Sequence, residues 1–211
     1  MRILDINPRN PEPEIINEAA KVVAGGGILI YPTDTCYGIG GDATSTQAIH
    51  KIQQLKSREA HKPFSVIVRD LPMIHKYAIL DETGEAVLRH YLPGQYTFAL
   101  LTKNFNQWPY NSIWVRMPNY AVTQALAEAL PMPYITTSAN ISGEPPAYSI
   151  EELEQSLLSD EGLTVVPDLI LNAGPIPHNP PSTIVNLTVW PPKIIRQGGV
   201  TFTWPDQPPV D

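Results

Sequence analysis

The sequence is short of several things, and each shortage removes a class of function. It holds one cysteine in 211 residues, so no disulfide can close within the chain, and a reduced setting is the simpler expectation. Its opening, MRILDINPRNPE, lacks the apolar core of a secretory signal. No run approaches the roughly 18 apolar residues of a membrane span. A cytoplasmic chain with no membrane partner is expected. Basic residues are scarce too, 14 against 21 acidic, for a net charge of −7. Unspecific nucleic-acid binding draws on a basic face, so that balance argues against it as the main task, although a local basic cleft stays open. The five histidines, at 50, 61, 75, 90 and 178, include no close pair at ligand spacing, and no metal site is expected. Neither a G-x-x-x-x-G-K-[ST] loop nor a G-x-S-x-G elbow occurs, which excludes a Walker-type phosphate cradle and a serine-hydrolase nucleophile.

What remains is an ordinary globular balance, 43% hydrophobic and 17% charged. The length suits one domain spanning 1–211. Prolines, 23 in all, gather in NPRNPEPE, PMPY, PIPHNPP and DQPPV, where they punctuate loops and a tail at 200–211. Apolar spacing predicts helices over residues 14–24, from 44 onward with Ile49, Ile52 and Leu55 as the buried stripe, and over 82–92, 120–130 and 149–158. Thr44 with Gln47 reads as a capping box, and Ser149 as a cap. Strands are expected at ILIY (28–31), FSVIV (64–68), YTFALLT (96–102), IWVRM (113–117) and PYITT (133–137). DLILN, STIVNL and KIIRQ close the chain as short strands. Alternating and consecutive strands together indicate an α/β or α+β fold with one large twisted mixed sheet, flanking helices and a concave cavity.

YPTDTCYGIGGD, residues 31–42, invites two misreadings. GIGGDA fits G-x-G-x-x-A, but a dinucleotide fingerprint turns straight from strand into helix at its first glycine. Here a proline and five more residues intervene between Tyr31 and Gly38. The glycines are expected instead to let the chain turn toward the next helix. Cys36 has no local base or electropositive signature, so it reads as a small semi-buried side chain rather than a nucleophile.

A repeated spacing carries more. Thr33 and Thr35 are two apart, as are Lys56 and Arg58, and Ser138 and Asn140, with Thr136 two before them. Residues two apart share a side only in extended chain, so Lys56 and Arg58 act together only if the helix has ended by Leu55. Singly, KSREAHK reads as a solvated loop and TSANISG as turn chemistry. Two of the pairs follow apolar strands, where open α/β sheets bind ligands. Paired cations suit phosphate or carboxylate. Arg116 sits inside an apolar strand, where a charge needs a partner; a ligand and a buried salt bridge are both open. Ser182 and Arg196 belong to similar settings near the C-terminus.

These residues, in this order, resemble the YrdC-like family of L-threonylcarbamoyladenylate synthases. The landmarks are YPTDTCYGIG, KSR followed by KPFSVIV, LPGQYTFAL, VRMP, TTSANISG, STIVN and IIRQGG, over about 15–199. The resemblance implies a twisted α/β sheet around a large cavity. It implies an enzyme that makes threonylcarbamoyl-AMP and pyrophosphate from L-threonine, bicarbonate and ATP, with Mg2+ on the phosphates. A downstream threonylcarbamoyl transferase would then carry the group to tRNA. Thr33 and Tyr37 would line the threonine pocket, and Arg116 would grip its carboxylate. Lys56 and Arg58 would neutralise triphosphate and carbamate, Ser138 and Asn140 would hold phosphate and the reacting carboxy group, and Ser182 and Arg196 would close over the ligand. Two features depart from the pattern: Gln95 replaces the second proline of PGPxT, and LNAGPIPHNPP lacks an Asp-Gly-Gly element. Both resemble the paralogous YciO-like branch, which keeps an alternative in view: binding of tRNA, double-stranded RNA or the ribosome, or an altered substrate.

Overall fold

The computed structural model describes residues 1–103, 108–159 and 163–204; of the proline-rich tail, 205–211 lie outside the described residues. Alternation builds the centre. In β2 (Leu29–Pro32) and the residue before it, Ile28 and Ile30 pack into one hydrophobic cluster while Leu29 and Tyr31 pack into another. Strand geometry sends successive side chains to opposite faces, so a strand with apolar residues throughout must be covered on both. The same division places Ile170 on one side and Leu169 and Leu171 on the other in β9 (Leu169–Asn172).

Among the described residues eleven strands form one mixed sheet. β1 (Arg2–Asp5) pairs parallel with β9, and β9 with β2. β3 (Tyr37–Gly40) returns antiparallel to β2, then β8 (Tyr134–Ser138) and β4 (Ser65–Ile67) follow antiparallel. β4 pairs parallel with β7 (Ser112–Arg116), which lies antiparallel to β6 (Tyr96–Thr102). β6 carries β5 (Ala78–Ile79) antiparallel and β10 (Thr183–Asn186) parallel, and β11 (Lys193–Arg196) ends the order beside β10.

Helices cover both faces. α1 (Pro13–Ala24) and α5 (Ala121–Ala129) bury Ile16, Ala19, Val23, Val122 and Leu126 against the Leu29 side. α2 (Thr46–Leu55), α3 (Leu71–Tyr77), α4 (Glu82–Tyr91) and α6 (Ile150–Gln155) cover the other. Each fully buried aliphatic side chain here contributes about 1.5–3 kcal/mol by leaving water.

The expected fold class holds, with corrections in detail. Ser45, not Thr44, caps α2, its hydroxyl accepting from the Ala48 amide at 3.3 Å. Thr44 is taken by Asp42, whose carboxylate accepts from both its amide and its hydroxyl at 2.7 Å, a local turn that competes with capping. Ser149 does cap α6, accepting from Glu152, but that helix ends at Gln155 rather than 158. β1, β5 and α3 have no counterpart among the sequence expectations.

The main correction concerns the glycines of YGIG. They do not turn the chain toward α2; they are β3, the return arm of a hairpin. A Cβ on Gly40 would stand 2.8 Å from the Tyr31 ring and 3.2 Å from the Ile135 carbonyl oxygen. Glycine is needed there because two strands and a fully buried ring approach one backbone. Gly40→Ala is expected to cost at least about 1 kcal/mol through overpacking, read as a lowered urea midpoint with an unchanged m-value.

Candidate active site

A cavity of about 500 Å³ opens where several strand ends meet. The β2–β3 loop supplies Thr33, Thr35 and Cys36, and β3 supplies Gly38. β8 and the turn after it supply Thr136, Ser138 and Asn140. Arg58 and Phe64 come from the segment between α2 and β4, and Arg116 from β7. Ser182 and Arg196 arrive at the start of β10 and the end of β11. The register explains the convergence: Gly38 pairs with Ser138, and Ser65 with Thr136, so three segments separated in sequence lie side by side.

The 33–36 loop is held by its own hydroxyl. Thr33 Oγ1 donates to the Cys36 carbonyl at 2.7 Å and accepts from the Thr35 and Cys36 amides at 3.1 and 3.3 Å, a side-chain turn. The two threonine hydroxyls stand 3.2 Å apart, so this pair does share a side. Burial pushes the Cys36 thiol up, which keeps it protonated and poorly nucleophilic.

The Ser138–Asn140 turn is built around Lys56. Its Nζ donates to the carbonyls of Ser138 and Asn140, the latter at 2.8 Å, and to Asn140 Oδ1 at 3.0 Å. Ser138 Oγ donates to the same Oδ1 at 2.6 Å, and the Lys56 carbonyl accepts from the Ser142 amide at 2.9 Å. Lys56 is 1% exposed and is not part of the cavity wall. The sequence reading placed it directly on phosphate beside Arg58. The helix does end at Leu55, but Ser57 takes a left-handed φ of 48° and sends the two cations apart. Lys56 goes behind the Ser138–Asn140 turn and Arg58 into the wall. Burial first, then the field of Arg58, push the Lys56 ammonium down to about 7; its three oxygen acceptors act the other way.

Three guanidiniums face the cavity, and they are held differently. Arg58 Nη2 donates to the Pro63 carbonyl at 2.8 Å, and its charge lies 4.9 Å above the Phe64 ring centroid. Arg196 donates to the Ser182 carbonyl at 2.9 and 3.1 Å and to Ser182 Oγ at 3.2 Å. Ser182 Oγ also meets Thr97 Oγ1 at 2.8 Å. Partial desolvation, then repulsion from Arg116, lower the Arg196 pKa, so these two cations share a space. Arg116 makes the salt bridge that its strand setting left open: Nη2 donates to both Asp34 oxygens, at 2.9 and 3.2 Å. The side chains are 9% and 10% exposed.

Tyr37 is placed elsewhere than expected. Its ring is fully buried in the core and not on the cavity wall; its hydroxyl donates to the Gly174 carbonyl at 2.8 Å and accepts from the Ala173 amide at 3.0 Å. It braces the site from behind. Sequence reasoning missed Asp34, Phe64 and Trp114. Asp34 carried a signal, as the acid between two threonines and of opposite sign to Arg116. Among the described residues no group of three acids, cysteines or histidines could hold a metal, and Glu144 is the single carboxylate on the cavity wall.

A model of the Sua5/YciO/YrdC family, described as "Telomere recombination", matches residues 21–198. The uncharacterized protein YciO of Escherichia coli K12 is 29% identical over 198 residues, covering 92% of this chain and 93% of YciO. The threonylcarbamoyl-AMP synthase of Pyrococcus abyssi is 27% identical over 203 residues, covering 94% of this chain and 58% of that one. Among solved structures, P. abyssi Sua5 complexed with L-threonine superposes with a TM-score of 0.83 at 26% identity, over 94% of this chain and 58% of Sua5. The E. coli YciO crystal structure superposes at 0.80 with 28% identity, over 93% and 95%.

The Lys56 clamp gives a pH prediction. Its ammonium titrates near 10.5 in the unfolded chain and about 7 when folded. Between those values the unfolded chain holds the extra proton, so stability rises with pH across the window, by up to about 1.4 kcal/mol per pH unit; below about 7 the cost of the buried charge is present in full. Lys56→Met removes this titration. Urea unfolding from pH 6.5 to 9 should show wild type gaining on the variant as pH rises; parallel curves would contradict the assignment.

Proposed function

The chain belongs to the Sua5/YciO/YrdC family, and from that premise we propose that it makes threonylcarbamoyl-AMP from L-threonine, bicarbonate and ATP. One observation carries the reading: among the described residues, three guanidiniums and the hydroxyls of Thr33, Thr35, Ser138 and Ser182 border one cavity with a single wall carboxylate. The likeness to a Sua5 that binds L-threonine supports the amino-acid half.

The chemistry follows from charge. The free amine of threonine and bicarbonate condense to a carbamate with loss of water. A carbamate oxygen then attacks the α-phosphorus of ATP, and the bond from that phosphorus to its β-bridging oxygen breaks, releasing pyrophosphate. Two anions must meet, so the step calls for placed cations more than for a strong base. Arg58 and Arg196 keep their charge for phosphate, because their acceptors are neutral oxygens. Arg116 takes the threonine carboxylate, while Thr33 and Thr35 border the amino-acid side chain. Ser138 and Asn140, held in place by Lys56, border the phosphate and the reacting carboxy group. Ser182 aims Arg196. Mg2+, when bound, would ride on the triphosphate and spread its charge, with Glu144 the wall carboxylate available to a magnesium-bound water.

The product suits a downstream threonylcarbamoyl transferase acting on tRNA. The competing reading, RNA or ribosome binding without this chemistry, has the net charge of −7 against it. Purified protein should release pyrophosphate from ATP only when threonine and bicarbonate are both present. Release indifferent to threonine points to another substrate. No ATP binding, with tight salt-sensitive RNA binding, points to the RNA reading. Arg58→Ala should lower kcat/KM by about 30-fold or more, roughly 2 kcal/mol of transition-state stabilisation.

A further inference from the structure

The three cavity guanidiniums differ in one respect that the proposed reaction does not require. Arg58 and Arg196 are held by carbonyl and hydroxyl oxygens, and no salt bridge to either is found among the described residues. Neither guanidinium is hydrogen-bonded to a carboxylate there. Arg116 alone has a counter-ion, and both partners are about nine-tenths buried. Asp34 lies outside the main cavity, facing a smaller one of about 360 Å³ that shares Thr33 and Asn179 with the first. Its loop is fixed independently of Arg116, by the Thr33 hydroxyl and by Asn179, whose side-chain amide donates to the Asp34 carbonyl at 2.9 Å. Arg116 keeps a donor in reserve: its Nε is buried and has no acceptor.

We propose that Asp34 is a positioning and specificity residue, which makes the Arg116 corner of the cavity electrically neutral and so reserves it for an amino-acid carboxylate while turning phosphate away. This rests on the reading of the cavity given above. A phosphate dianion at Arg116 would meet the Asp34 carboxylate directly behind the guanidinium, in a wall where water does not screen the repulsion. At Arg58 or Arg196 no carboxylate is bonded to the guanidinium it would meet. A zwitterionic α-amino acid carries no net charge, so its carboxylate can accept from Arg116 with less repulsion from Asp34 than a phosphate dianion meets. Specificity of this kind needs a repulsive element as well as an attractive one. Asp34 supplies the repulsion, and the triphosphate is thereby kept from binding in the amino-acid position.

The test separates anion selection from turnover. Pyrophosphate binding, measured by calorimetry without ATP or threonine, should tighten at least fivefold in Asp34→Asn, where the hydrogen bond can persist but the charge is gone. Asp34→Glu should retain the wild-type value. In the steady state Asp34→Asn should raise the KM for threonine at least tenfold with a smaller change in kcat, and Asp34→Glu should recover part of it. Equal pyrophosphate affinity in wild type and Asp34→Asn would overturn the proposal. If the Asn variant does not fold, wild type decides: inorganic phosphate should compete with ATP and leave threonine affinity unchanged, and competition with threonine would overturn the proposal. Should the protein not make threonylcarbamoyl-AMP at all, the pyrophosphate comparison still reads the Asp34 charge by itself.

Discussion

A lysine ammonium sealed behind the cavity is the interaction on which the rest of the site depends. Lys56 joins the end of α2 to the end of β8 through three oxygens of Ser138 and Asn140. Without it each of those oxygens loses a donor; Asn140 Oδ1 keeps the Ser138 hydroxyl and the Ser138 carbonyl keeps the Asn140 amide, while the Asn140 carbonyl bears the cost of about 1–3 kcal/mol for an unpaired buried group. The clamp also dictates local backbone. Because Lys56 must point inward and Arg58 outward, the residue between them takes the left-handed conformation seen at Ser57, unusual for a side chain that is not glycine. A cation that never lines the cavity therefore fixes both a cation and a turn that do.

Rigid anchoring has a consequence for charge. A guanidinium bound to a carboxylate is largely neutralised, whereas one bound to carbonyls is oriented but keeps its field. Arg58 and Arg196 are of the second kind. Placed donors and charges of that sort stabilise developing negative charge without reorganising during the reaction. They also make a reactive thiol or a strong base unnecessary, which agrees with the protonated state that burial enforces on Cys36.

Much of this was legible in the sequence where it depended on local pattern. Apolar periodicity located α1, α2, α4 and α5 and the central strands, because their buried faces leave a period in the residues themselves. Of the i, i+2 pairs, Thr33 with Thr35 and Ser138 with Asn140 border the cavity, and of the third only Arg58 does. Illegible were features set by distant partners. β3 was hidden because a strand containing Gly38 and Gly40 has no strand propensity; its place comes from pairing with β2 and β8 and from the Tyr31 ring. The resemblance put Tyr37 on the pocket wall, yet alternation carries its ring to the core. The divergence of Lys56 and Arg58 turned on a single φ angle. The Asp34–Arg116 bridge joins residues 82 apart, and spacing along the chain carries no trace of it.

The two departures from the family pattern can be followed to their physical ends. Gln95 accepts the Thr183 amide through its backbone carbonyl at 3.0 Å, an interaction indifferent to its side chain. The proline-heavy segment before Ser182 borders the cavity through Asn179 and Pro181. The Ile176 amide donates to the Tyr148 carbonyl at 2.9 Å, His178 stacks on the Tyr148 ring at 3.7 Å, and Asn179 reaches Asp34. Beyond it, Pro181 accepts from the Gly199 amide, and a Cβ on Gly198 would collide with the Pro181 carbonyl. Prolines lower the entropy lost in ordering such a segment, so stiffness substitutes for whatever contacts another sequence would use. Gln95 lines the smaller cavity and not the main one, and the proline-heavy segment gives the main wall Asn179 and Pro181. The three guanidiniums of the main cavity lie outside both segments.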